Sequence, residues 1–397
     1  MADEISSLVK EKYAAYLVDG TKAVCLTFVS DTDEIVSAQK YHPEFVYQHF
    51  GENETIFGYK DLEVILHHTD ASMYIYVQLK YTSDISSITP EFKPDDILLK
   101  LREQLPAEQM SAMCPTMASF KAHEREMQVW KVDESSPAFD AYLARVQTLA
   151  LWYIEGAEYT DNTDTRWQHY FLYESVKMSD GCRRFVLAGY SSIVRFYNYP
   201  DRVRPRIAHM LLLPAFRHAG NGGRFLQAVY SDLINDSKVH DITVEEPAES
   251  FIRTRDFVDC CNCSRLKEFQ AENLKKGFSK EMENAALQRF KIHPRQARRV
   301  YEILRLHNTN VRDENAVKEY RLDVKRRLEK PFRRSERSER RCSKLSKAVN
   351  GELYSTLMKM ELTKEQKLAK LQQLYEEEID GYKKVIKRLL QYSNVII

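Results

Sequence analysis

The sequence predicts an α+β fold of several domains, and three features of its 397 residues support this. The N-terminal third mixes strand-like and loop-like segments, and the middle of the chain contains a run of strands. From about Ser264 onward, apolar residues recur at helical spacing only. We therefore expect an N-terminal α/β domain, a mixed core and a C-terminal helical region. The expected boundaries are 1–135, 136–262, 263–325 and 326–397, the last comprising a basic segment and an amphipathic helix.

The N-terminal domain contains two predicted strands. Residues 24–29 are rich in strand-forming side chains, and residues 73–81 alternate like a strand. Between them, the glycine-bounded acidic stretch 49–59 predicts a loop, and residues 84–96, with two prolines, predict a connector. Large apolar side chains at helical spacing then predict a helix over 138–154.

The central strands and the C-terminal helices follow in order. Residues 170–173 form one predicted strand, and residues 184–197 form two strands or one long bent strand. Two more strands are predicted at 207–213 and 241–245. His293 and Pro294 open an amphipathic helix, and the last helix carries an apolar stripe that is typical of a packing or partner face. The stripe consists of Leu368, Leu371, Tyr375, Ile379, Tyr382, Ile386 and Leu389.

Composition narrows the class of protein. The chain is 43% hydrophobic and 29% charged, and it contains no apolar run of membrane-spanning length, so we expect a soluble protein without a membrane contact. The start of the sequence lacks the pattern of a signal peptide. Seven scattered cysteines favour reduced intracellular thiols. Cys260, Cys261 and Cys263 lie close together, but no second Cys/His pair follows at zinc-finger spacing, so we expect no metal.

The charge of the chain is unevenly distributed. Between Lys325 and Lys347 there are eleven Lys or Arg and three Asp or Glu, a net +8, which leaves −7 for the rest of a chain whose total is +1. An acidic body suits a cationic substrate better than it suits nucleic acid. The basic segment is open to three interpretations: a solvated helix face, a nuclear-import signal, or a direct nucleic-acid contact.

The stretch from Arg206 to Glu246 combines a phosphate-binding pattern with two carboxylates. A strand is followed by a glycine-bearing turn, 217–223, and by an amphipathic helix. Such turns bind phosphate because the first N–H groups of the helix lack internal partners and glycines let the backbone curl around the anion. Gly220, Gly222 and Gly223 are the glycines available for this. A Walker loop is excluded because no Gly-Lys-Ser/Thr follows, and a dinucleotide fingerprint is excluded by Phe225.

Strand periodicity separates the two carboxylates. Ile242 and Val244 point to one face, Thr243 and Glu245 to the other, so Glu245 lies on the polar face. Glu246 is expected at a bend of the strand end, where it caps the next helix or assists. Glu245 is therefore the better candidate for a functional carboxylate.

The candidate chemistry requires a base. A lysine amine has a pKa near 10.4, so fewer than about one in a thousand is neutral at pH 7, and acyl transfer to it needs a group that accepts the proton. We expect Glu245, on a buried strand end, to have a raised pKa that suits this task.

These residues resemble the GNAT acetyltransferase superfamily, in which a Q/R-x-x-G-x-G/A turn holds the pyrophosphate of acetyl-coenzyme A. Within it, the chain resembles the family of type B histone acetyltransferase catalytic subunits from about residue 10 to 330. Beyond the turn, the matching strings are 50–51, 57–60, 152–155, 166–167, 189–190, 199–206, 253–257 and 296–306.

The resemblance implies a fold and a set of site residues. The core becomes a mixed, mostly antiparallel twisted sheet flanked by helices. Glu245 matches the general base, and Glu246 and Glu155 match assisting carboxylates. The implied acetyl-coenzyme A contacts are Met210, Leu211, Leu212, Arg217, His218, Ala219, Gly220, Asn221, Gly222, Gly223 and Ser250. The implied histone-tail groove comprises Glu52, Asn53, Glu54, Trp167, Val194, Arg195 and Phe196.

The implied function is transfer of acetyl from acetyl-coenzyme A to lysines in the tail of a newly made core histone (H-four). We expect direct attack of the lysine amine, with a strand N–H near Leu211 stabilising the oxyanion. The alternatives are a catalytically weak histone chaperone or scaffold, an acetyltransferase for another substrate, and a nucleic-acid-binding protein. The resemblance also implies a WD-repeat β-propeller histone-chaperone subunit as partner and a location in nucleus and cytoplasm.

Overall fold

The computed structural model describes residues 13–30, 37–106, 126–132, 136–178, 181–218, 220–346 and 364–392. The strands in this part of the chain are β1 Leu17–Asp19, β2 Val24–Val29, β3 Thr55–Phe57, β4 Tyr59–Lys60, β5 Glu63–Thr69, β6 Ile75–Lys80, β7 Ser83–Asp84, β8 Glu126–Lys131, β9 Trp167–Lys177, β10 Arg183–Asn198, β11 Arg202–Leu212 and β12 Thr243–Val244. The helices are α1 Gly20–Ala23, α2 Tyr47–Phe50, α3 Ile97–Gln104, α4 Pro137–Tyr153, α5 Asn221–Asn235, α6 Glu249–Cys263, α7 Ala271–Lys276, α8 Lys280–Phe290, α9 Pro294–His307, α10 Glu314–Ser346 and α11 Lys364–Tyr392.

The chain clusters into two compact units. The first comprises Met1–Tyr197, Pro205–Asn221 and Val244–Glu246, and the second comprises Asn198–Arg204, Gly222–Thr243 and Pro247–Ile397. Mixed sheets together with helices confirm the predicted α+β class. The four-part domain division stays a prediction, and residues 347–363 and 393–397 of its last part lie outside the described residues.

The N-terminal part of the first unit contains a three-stranded sheet in the order β2-β5-β6. Strands β2 and β5 are parallel, and β5 and β6 are antiparallel. The strands predicted at 24–29 and 73–81 are confirmed, the second with a shorter span. The predicted loop 49–59 is partly wrong, because it contains β3 and the first residue of β4. Strand β3 pairs with β1, and buried Ile56 faces Val18, a long-range pairing that local turn signals do not show.

A five-stranded sheet follows, in the order β12-β11-β10-β9-β8. Strands β8, β9 and β10 are antiparallel neighbours. Of the two alternatives for residues 184–197, the single long strand is correct, since β10 runs for 16 residues with an irregular register between Leu187 and Gly189. The strand predicted at 170–173 is the centre of the longer β9.

Helix α4 provides the main helical wall of the first unit's core. Ser136 caps its start by accepting a hydrogen bond from the backbone N–H of Phe139, and Pro137 occupies the first turn. Val146, Leu149 and Trp152 are fully buried along one face. The helix predicted for 138–154 is thus confirmed within one residue at each end.

The second unit beyond Ser264 is helical among the described residues, apart from an isolated bridge of Ile292. Helix α9 begins at Pro294, and the ring Nδ1 of His293 accepts the Arg295 N–H at 3.2 Å. Helix α11 packs on α6 and α9 through the C-terminal half of its apolar stripe. Leu368, at the N-terminal end of the stripe, is exposed, so the prediction that this end forms a packing or partner face stays a prediction. None of the described helices has the length and apolar character that crossing a membrane requires.

Candidate active site

Strand β11 leads into the predicted phosphate turn. After a short 3-10 turn at Pro214–Phe216, His218 and Gly220 adopt positive φ values of 68° and 79°, and α5 begins at Asn221. The side-chain amide Nδ2 of Asn221 donates to the carbonyl oxygen of Phe216 at 3.1 Å, which closes the turn. These left-handed residues turn the chain directly into the start of α5. The first N–H groups of an α-helix have no partners within the helix.

The glycines of the turn have unequal roles. Gly220 supplies the left-handed turn, whereas Gly222 and Gly223 lie in the first turn of α5. The backbone N–H groups of Gly222 and Gly223 belong to the helix start. The predicted contact of all three glycines with a phosphate stays a prediction. Ala219 lies outside the described residues.

Arg217 is held in the first unit by three contacts. Its Nε donates to the carbonyl oxygen of Leu212 at 3.0 Å, and its Nη1 donates to a carboxylate oxygen of Glu44 at 2.9 Å. Its guanidinium carbon lies 4.9 Å from the centre of the Tyr153 ring. A guanidinium is a donor that suits a diphosphate, because it recognises phosphate oxygens through paired N–H groups.

The strand before the turn presents backbone to the site. Leu211 is buried, and a Cβ placed on Gly189 would lie 2.4 Å from the carbonyl oxygen of Leu211. Only glycine therefore permits this approach of β10 to β11, at the same point where the register of β10 is irregular. The implied role of Met210, Leu211 and Leu212 in holding the acyl portion of the cofactor stays a prediction.

Glu245 directly follows β12 at the edge of the sheet. Its backbone N–H donates to the carbonyl oxygen of Ile207 at 3.0 Å, and its side chain is 51% exposed. The carboxylate Oε1 lies 3.7 Å from Nη1 of Arg206. The expectation of a buried strand end is wrong, because β12 ends at Val244 and the chain then bends.

The bend lies at Glu246, which has a φ of 27° and an exposed side chain. The predicted bend is confirmed. The predicted capping role is wrong, since Ala248 is the N-cap of α6 and no side chain caps that helix. Glu246 and Glu155 are both exposed, and among the described residues neither forms an ion pair or hydrogen bond with Glu245.

Arg206 is a site residue that sequence reasoning missed. Its guanidinium carbon lies 4.5 Å from the centre of the Phe196 ring, so Arg206 connects a predicted groove residue to the candidate base. A signal was present: Arg202, Arg204 and Arg206 alternate and share one face of β11. The predicted strand began at Ile207, which left this face out.

The predicted groove residues of β9 and β10 come together at one end of the sheet. Trp167 pairs with Val194, and its indole stacks with the ring of His169 at 6.5 Å. Nη1 of Arg195 donates to the side-chain oxygen of Gln168 at 3.2 Å. Val194 is buried, which leaves little of its side chain accessible, and its predicted place in the groove stays a prediction.

The acidic loop is fixed to the C-terminal end of α4. The ring of His49 stacks on Trp152 with centroids 4.0 Å apart, and burial lowers the pKa of His49 to about 4. Glu54 accepts the backbone N–H of Val46 at 2.8 Å, so its carboxylate closes the loop. Glu52 and Asn53 have exposed side chains that a cationic ligand can reach.

Two remaining predictions lie on α6. Ser250 is exposed in its first turn, and its carbonyl accepts a hydrogen bond from the Thr254 hydroxyl at 3.0 Å. Cys260, Cys261 and Cys263 are buried, and burial raises the pKa of the Cys261 thiol to about 11, which disfavours thiolate chemistry. In the described part of the chain, no group of three or more His, Cys, Asp or Glu could hold a metal ion.

The middle of the chain thus combines a mixed sheet, a glycine turn at a helix start and a carboxylate that is joined through its backbone to the strand leading to that turn. This combination is the one that the resemblance to acetyltransferases led us to expect. Two families match: "Histone acetyl transferase HAT1 N-terminus" over residues 16–155, and "Histone acetyltransferase type B catalytic subunit, C-terminal" over residues 255–306. The chain belongs to the family of histone acetyltransferase type B catalytic subunits, as its resemblance predicted.

Individual relatives share nearly the full length. The type B catalytic subunit of Rattus norvegicus is 32% identical over 412 residues, covering 98% of this chain and 97% of its own. The subunit of Schizosaccharomyces pombe is 25% identical, covering 92% of both chains. Among solved structures, an aminoglycoside acetyltransferase from a soil metagenome, in complex with sisomicin, is 8% identical with a TM-score of 0.23 and covers 30% of this chain and 78% of its own. An acetyltransferase of Trypanosoma brucei is 14% identical with a TM-score of 0.23, and the match covers 32% of this chain and 86% of its own.

Proposed function

We propose that this chain transfers the acetyl group of acetyl-coenzyme A to lysine side chains in the N-terminal tail of a newly made core histone, H-four. The observation that carries the proposal is the position of Glu245. Its exposed carboxylate is joined through its backbone to β11, the strand that runs on to Arg217 and the phosphate turn. Strand β11 therefore connects the candidate base, Glu245, to the turn that is proposed to bind the cofactor.

Different residues would bind the cofactor and remove the proton from the substrate. Acetyl-coenzyme A supplies an activated thioester carbonyl when it is bound. Arg217 and the backbone N–H groups at the start of α5 would hold its diphosphate. The backbone of Met210, Leu211 and Leu212 would align the acyl portion, and an N–H near Leu211 would stabilise the oxyanion.

Glu245 would remove a proton from the substrate lysine. The lysine amine is almost entirely protonated at pH 7 and must become neutral before it can attack. Arg206 lies 3.7 Å away and is itself half-exposed, so it orients the carboxylate through an ion pair that is weak in water. The carboxylate can therefore exchange this partner for an incoming ammonium group, directly or through water.

The groove residues support a cationic peptide as substrate. Glu52 is exposed, and the residues outside 325–347 carry a net charge of −7, as calculated from the sequence. The aromatic rings of Trp167 and Phe196 lie at the β9 and β10 ends and could pack against a lysine stem. The catalytically weak chaperone alternative is not favoured, since the relatives are named as catalytic subunits.

The test is substitution of Glu245 by Gln, which keeps the shape of the side chain and removes its basicity. We expect turnover on free core histones, read by mass spectrometry of acetylated lysines, to fall about 10²- to 10⁴-fold. Binding of coenzyme A, measured by calorimetry, should stay close to wild type. Glu246→Gln is the matched control, with a smaller loss. Unchanged turnover in Glu245→Gln would refute the assignment of the base.

The family resemblance also supports a WD-repeat β-propeller histone chaperone as partner and a place in both nucleus and cytoplasm. Co-purification with a recombinant chaperone of that class, and imaging of a tagged chain, test these proposals. Direct nucleic-acid binding by the basic segment stays an untested alternative. Deletion of residues beyond 325, followed by separate assays of acetylation and nucleic-acid binding, distinguishes that role from the catalytic one.

A further inference from the structure

Arg217 is shared between the cofactor turn and a distant segment of the chain. Its Nε is engaged by the carbonyl of Leu212 at 3.0 Å, and its Nη1 is engaged by Glu44 at 2.9 Å. The Arg217 and Glu44 side chains are 30% and 51% exposed, so the pair is open to solvent and to competing ligands. The guanidinium that the cofactor requires therefore already has an anionic partner.

Glu44 is itself rigidly placed. Its backbone N–H, together with that of Phe45, donates to the carbonyl oxygen of Trp152 at the end of α4, at 2.9 and 3.1 Å. Two further bonds attach the next residues there: Gly156 donates to the Tyr47 hydroxyl at 2.8 Å, and the Gln48 amide donates to the carbonyl of Ala157 at 3.1 Å. The backbone of Glu44 is therefore part of a short segment that is anchored to the C-terminal end of α4.

The same segment carries the acidic loop. Val46 donates its N–H to the Glu54 carboxylate at 2.8 Å, and the backbone of Glu54 accepts the N–H of Gly20 at 2.7 Å. The Arg217–Glu44 pair, the two-residue step along the chain from Glu44 to Val46, and the Val46–Glu54 hydrogen bond therefore connect Arg217 to the loop that the proposed function assigns to the histone tail.

We infer that the Glu44–Arg217 ion pair is a switch that couples occupancy of the phosphate turn to the segment 44–57, so that Glu44 is a positioning residue for the substrate loop. The inference rests on the proposed function of that loop. A diphosphate offers Arg217 more negative charge and the same planar recognition as a carboxylate. Diphosphate binding displaces Glu44 from Nη1, while the Nε bond to Leu212 can persist.

Two consequences follow from this exchange. First, Glu44 competes with the ligand, so the wild-type chain binds coenzyme A more weakly than a chain without that carboxylate. Second, the released carboxylate adds one uncompensated negative charge beside the acidic loop, which favours a cationic peptide. By linkage, coenzyme A and peptide then strengthen each other's binding by the same factor.

The first experiment measures coenzyme A affinity by calorimetry without peptide, so no turnover occurs. We expect Glu44→Gln to bind coenzyme A more tightly, by up to about fivefold, the range of an exposed ion pair. In an Arg217→Ala background, Glu44→Gln should have no effect. The matched control is Glu126→Gln, because Glu126 is also half-exposed and paired with an arginine, Arg183. An unchanged or weaker affinity in Glu44→Gln would overturn the inference.

The second experiment follows hydrogen exchange in the segment 44–57 by mass spectrometry. In the wild-type chain, coenzyme A should change the exchange of the Val46 region, and in Glu44→Gln this change should be lost. A ligand response that persists in Glu44→Gln contradicts the switch. Both readouts need only coenzyme A, so they can fail while wild-type histone acetylation is intact. Conversely, absence of histone acetylation by the wild-type chain would refute the proposed function and leave these binding results standing.

Discussion

Glu302 is the centre of a buried ion-pair cluster, and its removal should release α11. Its side chain is fully buried, and its carboxylate accepts hydrogen bonds from three other side chains. Arg298 donates at 2.8 Å, Arg327 at 2.8, 2.9 and 3.1 Å, and the Tyr382 hydroxyl at 2.9 Å. These donors come from α9, α10 and α11, so one carboxylate joins three helices.

The expected cost of Glu302→Gln follows from these partners. Breaking a buried ion pair costs about 3–5 kcal/mol, because the remaining charge is left without compensation. Here Arg298 retains Asp323 at 3.0 Å and Arg327 retains Glu378 at 3.1 Å, which places the cost near the lower limit. A loss of about 3 kcal/mol corresponds to roughly a 150-fold increase in the opening equilibrium.

Hydrogen exchange of the full chain, read by mass spectrometry on α11 peptides, measures this opening. We expect Tyr382→Phe, which removes one hydrogen bond to a charged acceptor, to accelerate exchange less than Glu302→Gln does. Asp380→Asn is the control on the same helix, since Asp380 forms an exposed ion pair with Lys384, and its exchange should match wild type. An increase below tenfold for Glu302→Gln, or an equal increase for Asp380→Asn, would refute the reasoning.

Two further predictions concern the first unit and the site. Gly189→Ala places a methyl group 2.4 Å from the carbonyl oxygen of Leu211. It should therefore lower the unfolding free energy by about 1–3 kcal/mol and weaken coenzyme A binding. The control is Gly381→Ala, whose methyl group meets no atom within 4 Å and should change neither quantity. Because burial lowers the pKa of His49 to about 4, the unfolded chain alone gains this proton between pH 6.5 and 4, and the unfolding free energy falls through that window. We expect the unfolding free energy, measured with urea, to fall between pH 7 and pH 5 by about 2 kcal/mol less in His49→Phe than in the wild-type chain. An identical pH dependence in both chains would contradict the lowered pKa of His49.

Local patterns predicted the elements that carry the site. The helix over 138–154 and the strand at 24–29 follow from spacing and residue type, and both are present within one residue of their predicted ends. Strand alternation and the glycine turn also rank Glu245 and Arg217 as functional candidates on sequence grounds alone. These features depend on neighbours within a few positions, so periodicity is sufficient to detect them.

The errors concern pairings between distant segments. The predicted loop 49–59 contains strand residues because their partners, β1 and β7, are remote in sequence: Leu17 pairs with Phe57, and Tyr59 pairs with Asp84. The predicted burial of Glu245 failed because β12 contains only two residues, and a strand that short does not cover the side chain that follows it. Local composition contains no information about either point.

The sequence by itself determined the chemistry available to this protein: a turn that fits a diphosphate, a carboxylate on the polar face of a strand, and an acidic body with one basic segment. Only the tertiary structure decided which charges meet. Glu44 and Arg217 are 173 positions apart, and Arg206 reaches Glu245 from a different strand. The physical reason is that an ion pair requires two side chains within a few ångströms, and that proximity is fixed by strand register and helix packing, not by the residues on either side of each charge.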